Sequence, residues 1–271
     1  MMKNIIYETI VTYPKADIVF WIYSSKSEII KHLERFYVKV SREDLNDYNT
    51  IYPIYIIDDN ILFAQQSITV HTTSNAISTI NKIIRQNLKF KGAWIPYHGA
   101  TLLVGGKVYM FLGSTGAGKT TLAVFLSQQR NIQLLSEDIT ILNWETKEII
   151  NQIYPICIRK ESFDLLTSVY NCDLKCLEEN YNGKYLYEYL HKQNTKHKYV
   201  LDKCFLLDRA EVCNEPKCCP VSSVMPYILN SYCNIDMIRN IRSAQSLNEK
   251  NMMYKLSYAN LNLVYNFLKK L

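Results

Sequence analysis

Two rhythms of apolar residues run through this chain. Ala16 to Ser25 (ADIVFWIYSS) is a continuous β-branched and aromatic run suited to a buried strand, and the following KSEIIKHLERFY changes period, with Ile29, Ile30, Leu33 and Phe36 at helical spacing. Beyond the turn-rich SREDLNDYN, the runs IYPIYIID and ILFAQQSITVHT read as two strands that turn at Asp58-Asp59-Asn60. Helical spacing returns from Asn75 to Leu88, where Ile77, Ile80, Ile83, Ile84 and Leu88 share one face, and Gly92 follows. The pattern predicts a small α+β unit over residues 1–91.

The second part, residues 92–271, opens with two β-rich runs, Thr101 to Val104 and Lys107 to Leu112, separated by Gly105-Gly106. Two glycines in that place form a tight hairpin turn, since they accept positive φ without a Cβ clash. Next come a helix at TTLAVFLSQQ, a strand pair or one long strand at IQLLSEDITILN, and a strand at CFLLDRAEV. Helices are expected over Val221 to Tyr232 and at the closing LNLVYNFLKKL, where Lys269 and Lys270 complement the negative end of the helix dipole. No internal repeat interrupts this order. The expected fold class is α/β: an α+β N-terminal unit followed by a larger α/β domain.

Composition narrows the partners. With 48% hydrophobic and 21% charged residues, 8 Gly and 7 Pro in 271, the chain has enough apolar material for a substantial core. A net charge of +6 is too weak to argue for nucleic acid, and suits an anionic nucleotide or an acidic peptide. No apolar run reaches the roughly 18 residues that cross a bilayer, so no membrane partner is expected. Eight cysteines accompany an opening, MMKNIIYETIVTYPKAD, without the features of a secretory signal, which points to reduced thiols and a cytoplasmic location. Cys172 with Cys176, and Cys213 with Cys218 and Cys219, lack the paired spacing of structural zinc sites, while Cys157 and Cys204 lie in apolar runs and read as core residues.

Gly113-Ser114-Thr115-Gly116-Ala117-Gly118-Lys119-Thr120 satisfies G-x-x-x-x-G-K-[ST], between an expected strand and an expected helix. Such a loop turns backbone N–H groups inward around phosphate oxygens, and the helix start adds its own unpaired N–H groups. Lys119 supplies a cation for the β- and γ-phosphates of ATP, and Thr120 a hydroxyl for Mg²⁺. A carboxylate partner is offered by Ser136-Glu137-Asp138, charged residues inside an apolar strand, where acids without a task are rare. Successive side chains of a regular strand face opposite ways, so using both acids requires a bulge or a strand end. His98, just before the hairpin, is placed where it could hydrogen-bond one of them.

In order, HGATLLVGGKVYMFLGSTGAGKTTLAVFL, LLSEDITIL, IYPICIRK and KCFLLDRA make residues 98 to about 230 resemble the C-terminal catalytic domain of the HPr kinase/phosphorylase family. Within it the chain is most similar to the short kinases associated with ribosomally made peptide natural products, lasso-peptide precursors included. The resemblance implies a fold related to phosphoenolpyruvate carboxykinase and Mg²⁺-dependent transfer of the ATP γ-phosphoryl group to a serine hydroxyl of a peptide or small protein. It puts the phosphate loop on Gly113 to Thr121, the family's histidine on His98, and its paired aspartates on Glu137 and Asp138. The first acid is implied as proton acceptor and the second as a magnesium ligand beside Thr120. Glutamate in the first place extends the carboxylate by one methylene, which matters where positioning governs rate. Arg159 falls where a basic side chain could meet phosphate or a substrate carboxylate. The glycine-rich signature linked to the reverse phosphorylase reaction is absent, and the hexamers of the full HPr enzymes leave a homo-oligomer open.

Gly183 to Lys203 interleaves basic residues, histidines and tyrosines between expected catalytic strands, a candidate substrate lid. Two other functions share the phosphate loop: a kinase of free serine or another small alcohol, and a nucleotide-gated regulatory ATPase with no phospho-acceptor.

Overall fold

A computed structural model describes residues 7–151, 156–174, 176–181, 184–187, 198–210, 216–220, 222, 237–248 and 252–271. The helix expected over Val221 to Tyr232, apart from Ser222, and the central part of the candidate lid, 188–197, lie outside them. The described chain is mixed α and β and divides into two compact units, one running to Gly92 and one beginning at Ala93.

The first unit carries β1 (Tyr7–Thr12), β2 (Ile18–Ser24), α1 (Ser27–Phe36), β3 (Val38–Lys39), β4 (Thr50–Ile57), β5 (Asn60–Phe63), β6 (Gln66–Thr69) and α2 (Thr73–Asn87). Its six strands lie in the order β3-β1-β2-β4-β5-β6. The strand then helix expected from Ala16 onward is β2 followed by α1, after which β4 returns parallel to β2. Pro53 sits in the part of β4 that β5 does not reach, so its missing N–H interrupts no ladder on that side. The run ILFAQQSITVHT is not one strand. It folds back between β5 and β6 at Ala64 and Gln65, with φ of 47° and 66°. Neither is a glycine, and the sequence therefore carries no turn signal there. All five apolar residues expected on the face of α2 are buried, and Thr72 caps the helix by accepting from the Asn75 N–H.

The second unit carries β7 (Trp94–His98), β8 (Ala100–Val104), β9 (Lys107–Leu112), α3 (Lys119–Ser127), β10 (Ile132–Ser136), β11 (Ile139–Asn143), β12 (Glu148–Ile149), β13 (Ile156–Arg159), α4 (Lys160–Ser168), β14 (Cys176–Tyr181), β15 (Lys184–Tyr187), β16 (Tyr199–Arg209), β17 (Lys217–Cys218), α5 (Met237–Asn248), β18 (Met253–Tyr258) and α6 (Leu261–Leu268). The large sheet runs β10-β8-β9-β16-β12-β11-β7, with β18 also beside β16, and β13-β15-β14 form a separate small sheet. At its centre β9, β16 and β18 are mutually parallel, so their C-terminal ends share one edge. The Gly105-Gly106 hairpin forms as expected, with φ of 57° and 89°. α3 packs on β8 and β10, and Leu122, Val124, Phe125 and Leu126 join Phe111 and Phe205 in the core of this unit.

Among the strands that escape the apolar pattern are β1, β7 and β18. β1 has Glu8 and Thr9 in its first half, and β7 contains Pro96, which its place at the end of the sheet path tolerates. Among the described residues no helix is long and apolar enough to cross a membrane. Cys204 is a buried core thiol as expected and Cys157 is only half-buried; no disulfide joins Cys157, Cys172, Cys204, Cys218 or Cys219. No metal-holding group of three or more His, Cys, Asp or Glu occurs among the described residues.

α1 buries one polar residue with its apolar face: His32 is 7% exposed, with its ring 4.5 Å from that of Phe36. Burial, with the Arg35 charge adding to it, pushes the imidazole pKa down to about 4. The unfolded chain takes up this proton near pH 6.5, so between about pH 4 and 6.5 the unfolded state binds more protons and stability falls as pH falls. Acidification across that window is expected to cost about 2–3 kcal/mol, and a His32→Leu variant to lose most of that dependence. Urea unfolding at a series of pH values, read by hydrogen exchange in α1 and α2, measures both.

Candidate active site

The glycine-rich loop connects β9 to α3 at the shared edge of the parallel strands. Gly118 is the N-cap of α3 with φ of 87°, in the left-handed region. A Cβ there would lie 2.3 Å from the Tyr258 hydroxyl oxygen, so the position excludes side chains twice over, by conformation and by space. That hydroxyl donates to the Ala117 carbonyl at 2.6 Å and is also hydrogen-bonded with the Arg209 side chain. Tyr258 is the last residue of β18 and Arg209 the last of β16, so the two neighbouring parallel strands brace the loop from behind. Burial raises the Tyr258 phenol pKa, which keeps it a donor; the Arg209 charge pulls the other way.

Lys119, only 8% exposed, folds back over the loop, and its ammonium donates to the carbonyls of Gly113 at 2.9 Å and Ser114 at 3.1 Å. Burial lowers its pKa, while the charges of Asp138 and Glu137 act to raise it. Thr120, next on the helix, donates to Glu137 Oε1 at 2.5 Å. Thr121 donates to Ser162 on α4 at 3.0 Å, which ties α4 to the start of α3.

The two acids stand at a break between strands. Residues of β10 pair with β8 and those of β11 with β7, so β7–β8 and β10–β11 form one long antiparallel pair, interrupted at Gly99 on one side and Glu137–Asp138 on the other. Asp138 has φ of 66°, and its carbonyl accepts from the Gly99 N–H at 3.1 Å. Gly99 passes so close to β9 that a Cβ would lie 2.7 Å from the Phe111 carbonyl oxygen. His98 Nδ1 lies 3.2 Å from the Asp138 carboxylate and 3.1 Å from the Asp138 carbonyl. Both acids are half-buried.

Behind the break, three fully buried hydroxyls are joined. Thr140 donates to the Gly99 carbonyl at 3.1 Å and lies 2.8 Å from the Thr101 hydroxyl and 2.7 Å from that of Ser136. With its one proton committed to Gly99, Thr140 accepts from the other two, and its hydrogen-bonding capacity is complete.

The structure thus gathers Lys119, Thr120, Glu137, Asp138 and His98, drawn from a loop, a helix start, a strand break and a strand end. Thr120 meets Glu137, and His98 meets Asp138. Arg159 is the exposed N-cap residue of α4, and among the described residues no hydrogen bond or ion pair joins it to the loop or the acids. On the Arg209 side of the loop, Ser114, Thr115, Ala117, Asp208, Arg209 and Lys255 line a cleft of about 490 Å³, in which Lys255 pairs with Asp208 at 2.8 Å. Sequence patterns did not single out Tyr258, Arg209 or the hydroxyl trio. Arg209, at the end of an apolar strand, was the one with a local signal. The Thr120 and Glu137 oxygens are hard donors of the kind magnesium takes, since it keeps most of its waters and needs few protein ligands. No protein-family model and no curated protein matches the chain.

Two substitutions probe this architecture. Gly118→Ala is expected to lower stability by about 1–3 kcal/mol in thermal unfolding, because either the loop or Tyr258 must move. Thr140→Val strands the Ser136 and Thr101 hydroxyls and the Gly99 carbonyl, and is expected to lower stability by about 1–3 kcal/mol in thermal unfolding.

Proposed function

We propose that this protein is an ATP- and Mg²⁺-dependent kinase that transfers the γ-phosphoryl group to a serine hydroxyl of a peptide or small protein, a ribosomally made natural-product precursor being the favoured substrate. The observation that carries this proposal is the convergence of Glu137, Asp138 and His98 on the phosphate-loop residues Lys119 and Thr120. A bare anion site needs the loop and its lysine. A carboxylate pair with a histidine at the same place adds what hydroxyl phosphorylation requires, a metal-side oxygen and a proton acceptor. The resemblance to HPr kinase-type enzymes points the same way.

In this scheme the loop amides and Lys119 hold the β- and γ-phosphates. Thr120 and one acid of the pair would hold magnesium, which would supply neutralisation of phosphate charge. The remaining contribution of the chain is positioning, and keeping a carboxylate ready for the proton of the attacking hydroxyl.

The test is intact-mass spectrometry of a serine-containing peptide encoded beside the gene, incubated with the protein, ATP and Mg²⁺. A phosphoryl adduct on serine is expected, reduced at least about a hundredfold in rate by Lys119→Ala. An adduct on free serine or another small alcohol alone would replace the peptide by a small acceptor. ATP consumed with no phosphorylated product would leave a nucleotide-gated ATPase.

A further inference from the structure

The resemblance implies that the first acid of the pair takes the proton and the second holds magnesium. We infer the opposite division, which rests on the kinase proposal: Glu137 with Thr120 forms the metal side, and Asp138, held by His98, faces the acceptor hydroxyl.

The strand break separates the two carboxylates. In a regular strand, consecutive side chains point to opposite faces of the sheet, and only one acid could reach the loop. Here Asp138 adopts a left-handed conformation directly after Glu137, and the two side chains serve different neighbours. Glu137 reaches across to the first turn of α3, where its carboxylate oxygen accepts from Thr120 at 2.5 Å. Thr120 is the residue whose hydroxyl the loop presents to a phosphate-bound magnesium, so the carboxylate bonded to it is the one placed to share that ion. The extra methylene of glutamate has a use in this arrangement, because it spans the gap between a strand break and a neighbouring helix.

Asp138, which like Glu137 acts on the Lys119 charge, takes its hydrogen-bonding partner from β7 instead of α3. His98 Nδ1 sits 3.2 Å from its carboxylate and 3.1 Å from its carbonyl, so one ring nitrogen is anchored to both ends of the same residue. The Asp138 side chain is 37% exposed, which leaves it open to an incoming hydroxyl. His98 is a positioning residue in this assignment: it orients the carboxylate. During transfer the acceptor oxygen bonds to the γ-phosphorus, the bond from that phosphorus to the ADP oxygen breaks, and the hydroxyl proton passes to the Asp138 carboxylate.

The experiment separates metal binding from transfer. Electron paramagnetic resonance titration of Mn²⁺ into full-length protein with ATP reports the metal side directly. Glu137→Gln is expected to weaken Mn²⁺ binding at least about tenfold, with Thr120→Ala following it, while Asp138→Asn stays within about twofold of wild type. Asparagine tolerates left-handed φ, so Asp138→Asn keeps the break, and circular dichroism confirms the fold of each variant. Phosphoryl transfer by Asp138→Asn is expected to fall about a hundredfold or more despite intact Mn²⁺–ATP binding. Loss of Mn²⁺ affinity in Asp138→Asn with retention in Glu137→Gln would restore the order the resemblance implies, and equal loss in both would overturn any division. If wild type binds Mn²⁺–ATP and phosphorylates no hydroxyl, the kinase proposal falls and takes the role of Asp138 with it, while the titrations still decide whether Glu137 is the metal-side acid.

Discussion

The candidate site depends on one buried hydrogen-bond centre, the hydroxyl of Thr140. It donates to the Gly99 carbonyl and lies within 2.8 Å of the hydroxyls of Thr101 and Ser136, so a single oxygen links both strands of the long β7–β8 and β10–β11 pair across their interruption. An interrupted ladder leaves backbone groups without partners, and burying them unpaired costs free energy of the order of a hydrogen bond each. The trio and the Gly99 N–H bond to Asp138 take up those groups. The break can therefore persist in an otherwise apolar sheet, and both acids are free of the alternation that would send one of them to the wrong face.

The glycine-rich loop is held by a different device at the same edge of the sheet. A loop with left-handed residues at Gly116 and Gly118 has no internal ladder to stiffen it. Its order comes from outside, through the Tyr258 hydroxyl on Ala117 and the parallel strands that deliver Tyr258 and Arg209 to its back. At both places, irregular backbone stands where neighbouring regular strands supply the missing hydrogen bonds.

This explains what the sequence made legible. The loop motif is local, and its strand and helix neighbours are set by apolar runs that need no tertiary information, so residues 113–120 could be placed without coordinates. Ser136-Glu137-Asp138 also stood out, as polar residues in an apolar run, and the need for an interruption followed from the two-residue period of a strand. Which acid meets which partner did not follow. That depends on the φ of Asp138 and on β7 lying beside β11, a pairing between residues some 40 positions apart, as in His98 with Asp138. Tyr258 stands 141 positions from Ala117 and belongs to no motif, so only the folded chain relates them. β7 was hidden by Pro96, and the β5–β6 turn by two left-handed residues that are not glycine.

The position of Lys119 connects stability to function. Its ammonium is buried and satisfied by two loop carbonyls, while burial itself works against the charge and the nearby acids support it. A hydrogen bond to a charged group is worth about 1.5–3 kcal/mol, so these two contacts offset much of the cost of desolvating the cation. A triphosphate offers the same ammonium stronger, charge-assisted partners, and the lysine can exchange carbonyls for phosphate oxygens without a second desolvation. On the proposed kinase reading, the loop carbonyls would stand in for the phosphate oxygens and keep the cation desolvated. The acids that act on the Lys119 charge complete the balance: a lysine beside Thr120 and two carboxylates form a field that, on the kinase reading, a metal–nucleotide complex would match better than a free anion.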